Sequence, residues 1–216
     1  MKAQLFLPFY DTADRFLRKI PVITITLVFL NVIIFLISLF DFEKIIMTFG
    51  FIPAKFDLVT LFTSMFLHGG VDHLFGNMWY LLVFGDNVEE KLGRISFLWL
   101  YFTSGICAAF IQYITDPFSE IPIIGASGAI SGILGAYLVF FPREKVLVRI
   151  GFNFIYLPTY VMLSCWFLIQ FIFGAISLLG FMGSNIAFWA HIGGFIFGIL
   201  AAFLINSRSK SKRRKL

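Results

Sequence analysis

Apolar residues fall in six blocks along this chain, each closed by a short polar or charged break: about 22 to 40, 72 to 85, 95 to 115, 127 to 141, 157 to 180 and 187 to 206. Roughly 20 consecutive apolar residues cross the hydrocarbon layer as a helix, so the blocks read as six transmembrane spans. The second and fourth are short. They are expected to begin below the outer surface and to be met there by buried loop, because irregular backbone at membrane depth needs cover from protein or a water-filled cavity. Residues Asp41 to Leu67 and the N-terminal segment, rich in Phe, Leu and Ile, read as amphipathic and interfacial. The expected fold class is an all-α membrane protein with a six-transmembrane-helix bundle at 21–206, an N-terminal segment at 1–20 and a basic tail at 207–216.

Composition agrees with this pattern. Of the residues, 59% are hydrophobic and 13% charged, and the mean hydropathy is +0.91; a soluble domain would carry about a quarter charged residues. Cytoplasmic loops retain Lys and Arg, and that rule orients the bundle. With both termini cytoplasmic, the inner segments hold Lys2, Arg15, Arg18, Lys19, Lys91, Arg94, Arg143, Lys145, Arg149 and the six basic residues of the tail, leaving Lys44 and Lys55 outside. The acidic residues divide evenly, so the bias is one of basic residues alone. The first span follows a segment containing Asp11 and Asp14 and lacks a small-residue cleavage site, so it is expected to be a mature helix and not a secretory signal. The tail Arg208 to Lys215 directly follows a membrane helix and is read as contacting anionic headgroups of the lipid bilayer, with no nucleic acid involved. Cys107 and Cys165 lie inside spans and are expected to be packing residues without a disulfide framework.

Polar residues inside the spans supply the candidate chemistry, since ionisable groups in hydrocarbon are costly to bury and usually functional. Ser127 stands sixteen positions before Arg143, and His191 seventeen before Arg208. At about 1.5 Å per helical residue both sit roughly 24 to 26 Å above the cytoplasmic boundary. His73 precedes Glu89 by sixteen residues, and Asn77 lies one turn deeper on the same face. Three helices thus carry polar groups to one layer. Gly128, Gly132 and Ala136 in the fourth span, and Gly194, Gly198 and Ala202 in the sixth, form small-residue ridges that let helices approach backbone to backbone. Such packing would bring the Ser127 hydroxyl within reach of the His191 imidazole, the minimum for nucleophilic catalysis. His73, Asn77 and the amides around Ser127 are candidate donors to an oxyanion. Asp72 is expected to cap the second helix. No carboxylate offers itself as a third member, so the expected device is a Ser-His dyad.

Gly125-Ala126-Ser127-Gly128, Ala190-His191-Ile192-Gly193-Gly194 with Gly198, and His73-Leu74-Phe75-Gly76-Asn77 occur in order on the fourth, sixth and second spans. Together with Thr63 to Gly70 and Phe84 to Glu89 they resemble the rhomboid intramembrane serine proteases over roughly residues 20 to 206. The resemblance implies a six-helix bundle with both termini cytoplasmic, Ser127 as nucleophile, His191 as general base, and His73, Asn77 and the Ser127 amide around the oxyanion. It implies substrates that are membrane proteins with a transmembrane helix, and neither cofactor nor metal. The chain departs from some relatives in two places: residues 41 to 67 hold no Trp-Arg pair, and Ser131 stands where an aromatic residue would stack on the histidine. His191 would then be oriented by other packing.

Each polar residue also has a structural reading taken singly, as a helix contact, a cap or interhelical glue. His68, beside Gly69 and Gly70, is either an aid at a cavity rim or a structural loop residue. Trp166, Phe167, Phe171 and Phe181 could line a lateral substrate gate. Among competing functions, a metalloprotease lacks His-Glu-x-x-His, a transporter would show an inverted repeat and paired interrupted helices, and a catalytically inactive relative that binds transmembrane clients has no need of an intact Ser-His pair. A short chain without an organelle presequence or a seventh span is expected in a prokaryotic plasma membrane.

Overall fold

The computed structural model describes residues 7–13, 20–181 and 186–213, with side chains as far as Ser207. Lys2, Arg15, Arg18 and Lys19, the side chains of the basic tail, and most of the 1–20 segment lie outside the described residues. The helices are α1 (Val22–Ser38), α2 (Phe42–Phe49), α3 (Leu58–Thr63), α4 (Val71–Leu92), α5 (Arg94–Thr115), α6 (Ser127–Phe140), α7 (Thr159–Leu178) and α8 (Phe188–Arg213). Three of them, α5, α7 and α8 as far as Ser207, are long and apolar enough to cross a membrane. Helices α1 and α6 are equally apolar but shorter. Large apolar side chains such as Phe29, Phe40, Trp99 and Leu200 stand exposed around the bundle. An apolar surface of that extent suits hydrocarbon and not water.

The second block is not short. Helix α4 runs on through Asp86, Asn87, Glu89 and Glu90 to Leu92, and Asn87 and Glu89 find partners on other elements. Glu89, buried, accepts from the amides of Ile23 (3.0 Å) and Thr24 (2.8 Å) and from the Thr24 hydroxyl (2.9 Å). A carboxylate from a neighbouring helix therefore satisfies two of the amides that the first turn of α1 leaves unbonded. Asp72 does not cap α4: the cap position is Gly70, which makes no side-chain bond, and Asp72 lies within the first turn. A carboxylate there still suits the positive end of the helix dipole.

The all-α expectation needs correction. Strands β1 (Leu7–Asp11), β2 (Lys145–Ile150) and β3 (Asn153–Pro158) form an antiparallel sheet in the order β1-β2-β3. Alternation of Val146 and Val148, both buried, with exposed Lys145 and Arg149 gives β2 one inner face. The N-terminal segment, expected to be amphipathic and interfacial, contributes a strand. It is held on α4 by Trp79, whose indole donates to the Pro8 carbonyl, and by Asn87, whose amide donates to Asp11 at 2.9 Å. The hairpin ties the end of α6 to the start of α7, because the Thr159 amide and hydroxyl both donate to the Glu144 carbonyl, at 2.7 and 3.0 Å.

Between α1 and α4 the chain makes α2, α3 and two 3-10 turns, Pro53–Lys55 and Ser64–Phe66. This segment covers the start of α6. Phe51 and Ile123 exchange backbone bonds, and the Gly125 amide donates to the Ser64 carbonyl at 2.9 Å. Non-helical backbone is thereby paired with protein at the depth where α6 begins.

At the centre, α6 and α8 meet through their glycines. A Cβ on Gly194 would overlap the Gly128 carbonyl, and one on Gly135 would overlap that of Phe195. Ala136 and Ala202 are fully buried in the same contact. The two ridges read from the sequence do pack backbone to backbone. Of the two cysteines, Cys165 is exposed on α7 and so is not a packing residue, whereas Cys107 is half-buried.

Candidate active site

Ser127 is the first residue of α6 and His191 lies in the first turn of α8, so the glycine contact carries the two side chains toward each other. Nε2 of His191 is 2.8 Å from Oγ of Ser127, and both residues keep partial access to the surface. The start of α8 is fixed by Gln112 of α5, whose side-chain oxygen accepts from the Ala190 amide at 3.2 Å. Ser131, one turn along α6, donates to the Ser127 carbonyl at 2.7 Å. It therefore bonds back to its own helix and leaves the imidazole alone.

The packing of His191 comes from α7 instead. The Trp166 ring lies beside the imidazole, centroids 6.3 Å apart, and also against Phe195. Nδ1 of His191 is 2.8 Å from Oε1 of Gln170, which is 3% exposed. Sequence reasoning missed Gln170. The signal was present, as an amide set among apolar residues of the fifth block, and the depth argument used for His191 applies equally to it.

His73 and Asn77, one turn apart on α4, face Gly125 just ahead of Ser127. Gly125 has φ +122°, a conformation for glycine, and a Cβ there would stand 2.8 Å from Nε2 of His73 and 3.7 Å from Nδ2 of Asn77. Nδ1 of His73 accepts from the Gly69 amide at 3.3 Å. A neutral imidazole that accepts at one nitrogen donates from the other, so His73 offers Nε2–H toward the Gly125 backbone. Asn77 is buried, and its Nδ2 has no hydrogen-bond partner among the described residues. Two donors thus flank the turn into α6, whose own first amides point the same way. His68 is fully buried, not at a rim, and its ring stands edge-on to His73 with centroids 5.1 Å apart. Of the four aromatic residues proposed for a gate, Trp166 and Phe167 pack inward on the core, Phe171 lies against Trp189 and Phe181 is exposed.

Fold and site together define a class, a helical integral membrane protein in which a serine and a histidine from two apolar helices are in hydrogen-bond contact. The Rhomboid domain matches residues 55–208, and the chain belongs to the rhomboid family. It is similar to the rhomboid protein YdcA of Bacillus subtilis (strain 168), 31% identical over 154 residues covering 70% of this chain and 69% of that one. It is also similar to the rhomboid protease GluP of the same organism, 35% identical over 144 residues covering 66% of this chain and 25% of GluP. RHOMBOID-like protein 7 of Arabidopsis thaliana is 30% identical over 166 residues, 72% of this chain and 45% of that protein. The chain thus spans between a quarter and just over two thirds of the length of these relatives.

Proposed function

We propose that this chain is an intramembrane serine endopeptidase that hydrolyses peptide bonds in or near transmembrane segments of membrane-protein substrates by a Ser127-His191 dyad. The observation that carries the reading is the 2.8 Å contact between Ser127 Oγ and His191 Nε2. A base at that distance takes the hydroxyl proton as oxygen attacks a carbonyl, then returns it to the leaving amine. The tetrahedral oxyanion would be met by Nε2–H of His73, Nδ2 of Asn77 and the Ser127 amide, donors held in place before the reaction starts. Water then cleaves the acyl-enzyme with the same base. His73 and Asn77 close in on Gly125 beside the nucleophile, and the limited room at this glycine-rich turn favours small residues next to the cut.

The bundle in this reading has six spans, α1, α4, α5, α6, α7 and α8, at 21–206, flanked by a 1–20 segment and a 207–216 tail, both cytoplasmic. The three-stranded sheet then lies on the cytoplasmic face, and the tail meets anionic headgroups. Bacterial relatives such as YdcA and GluP support a prokaryotic plasma membrane.

The test is cleavage of a tagged single-span membrane protein by the purified chain in liposomes with chelator present, comparing native protein with Ser127→Ala and His191→Ala. Loss of cleavage in both variants is expected, by about 10³-fold or more. Cleavage that persists in Ser127→Ala would overturn the dyad, and substrate capture without cleavage by the native chain would favour a catalytically inactive rhomboid-like protein that binds transmembrane clients.

A further inference from the structure

A neutral imidazole beside a serine can face it in two ways. With the proton on Nδ1, the Nε2 lone pair faces the hydroxyl and can accept its proton; with the proton on Nε2, the ring donates to the hydroxyl and cannot act as a base. Which tautomer is populated depends on what meets Nδ1. In this chain that group is Gln170, whose carbonyl Oε1 lies 2.8 Å away. Gln170 is 3% exposed in the middle of α7, and Trp166, one turn earlier on the same helix, flanks the imidazole.

We propose that Gln170 is a positioning residue for His191: its side-chain carbonyl accepts from Nδ1–H and holds the ring in the tautomer and orientation that present the Nε2 lone pair to Ser127. The inference rests on the dyad proposed above and extends it to a third helix. An amide oxygen neither takes the proton nor carries a charge, so Gln170 acts through geometry and through its dipole, which steadies the imidazolium formed during attack. It also explains how the histidine is oriented although Ser131 stands where some relatives place a stacking aromatic residue. Because Gln170 belongs to α7 while Ser127 and His191 belong to the α6–α8 pair, the basic nitrogen is set only while α7 is packed against α8.

The experiment compares native chain, Ser127→Ala, Gln170→Met and Gln170→Glu in liposomes, measuring kcat and KM for a tagged single-span substrate and the thermal unfolding midpoint of each. Methionine keeps the length and bulk of glutamine but accepts no such bond, whereas glutamate keeps the acceptor. Gln170→Met is expected to lower kcat at least about 10-fold with KM and midpoint little changed, and Gln170→Glu to restore most of kcat. Native rates in Gln170→Met, or a loss in both variants that follows the unfolding midpoint, would overturn the proposal and leave Gln170 a packing residue. A second readout needs no variant: nitrogen-15 spectra of the native chain near neutral pH should show His191 protonated at Nδ1 and bare at Nε2, and the reverse tautomer would overturn the proposal whatever the variants do. If the native chain cleaves no faster than Ser127→Ala, the dyad itself fails, an outcome distinct from one in which the native chain is active and Gln170→Met equals it.

Discussion

Gly198 of α8 lies so close to Gly132 of α6 that a methyl group on it would overlap the Gly132 carbonyl oxygen. That atom is backbone in a helix and cannot turn aside, so a side chain at 198 has to push the helices apart. Overpacking of this kind typically costs about 1 to 3 kcal/mol. Displacing reacting groups by about 1 Å can cost on the order of 100-fold in rate. Gly198→Ala is therefore expected to lower the unfolding midpoint and to slow labelling of Ser127 by a fluorophosphonate together. Labelling at the native rate would show that the contact does not set the Ser127-His191 distance.

Asn77 presents a buried Nδ2 donor with no partner among the described residues, facing the Gly125 turn. A buried donor left unsatisfied is costly, and an oxyanion formed during the reaction would satisfy it. Asn77→Ala is expected to lower kcat on the order of 100-fold with KM nearly unchanged and stability equal or higher, measured by initial rates and thermal unfolding. A rise in KM at constant kcat would instead place Asn77 in substrate binding.

Asp11 gives the protein a pH dependence away from the proposed site. Burial pushes its carboxyl up from 3.8 to about 7, and the nearby charge of Asp86 adds to the rise. The folded state therefore holds this proton more tightly than the unfolded state. The stabilisation is complete below about pH 3.8 and disappears as pH rises through about 7. Docking of β1 on α4 is expected to weaken between pH 4 and 7, read as falling amide protection at Thr12, which donates to Lys145. Asp11→Asn should flatten that profile. Parallel curves for the two proteins would remove Asp11 as the cause.

The sequence located the helices that carry the site because apolar run length and glycine spacing are local signals. Ser127 opens α6 and His191 lies within α8, both on spans drawn from hydropathy alone. The far end of α4 was lost because Asp86, Asn87, Glu89 and Glu90 look like a loop when their partners are unknown. Asn87 meets Asp11, 76 residues away, and Glu89 meets Thr24, 65 away. The sheet is hidden for a related reason: Lys145 and Arg149 satisfy the cytoplasmic charge rule on their own, and two alternating valines between them are too short a period-two signal to stand out. Gln170 is hard to see in the sequence because a third member is expected to be a carboxylate, whereas a buried amide meets the same geometric need without a charge to desolvate.

Helix α7 is pinned through its backbone at its first residue, and contacts from Gln170 to His191 and from Trp189 to Gly174 hold it to α8 farther along. Its first residue is bonded to Glu144, four residues beyond the end of α6, and β3 runs into it directly from the hairpin. A rod held this way behaves as a lever, and any tilt grows with distance from the fulcrum. Trp166 would swing least, Gln170 and Phe171 farther, and Leu178 farthest. A tilt large enough to part α7 from α8 would break the Gln170 contact to His191 and the Trp189 contact to Gly174, so the far half of α7 cannot move without releasing the ring that faces Ser127.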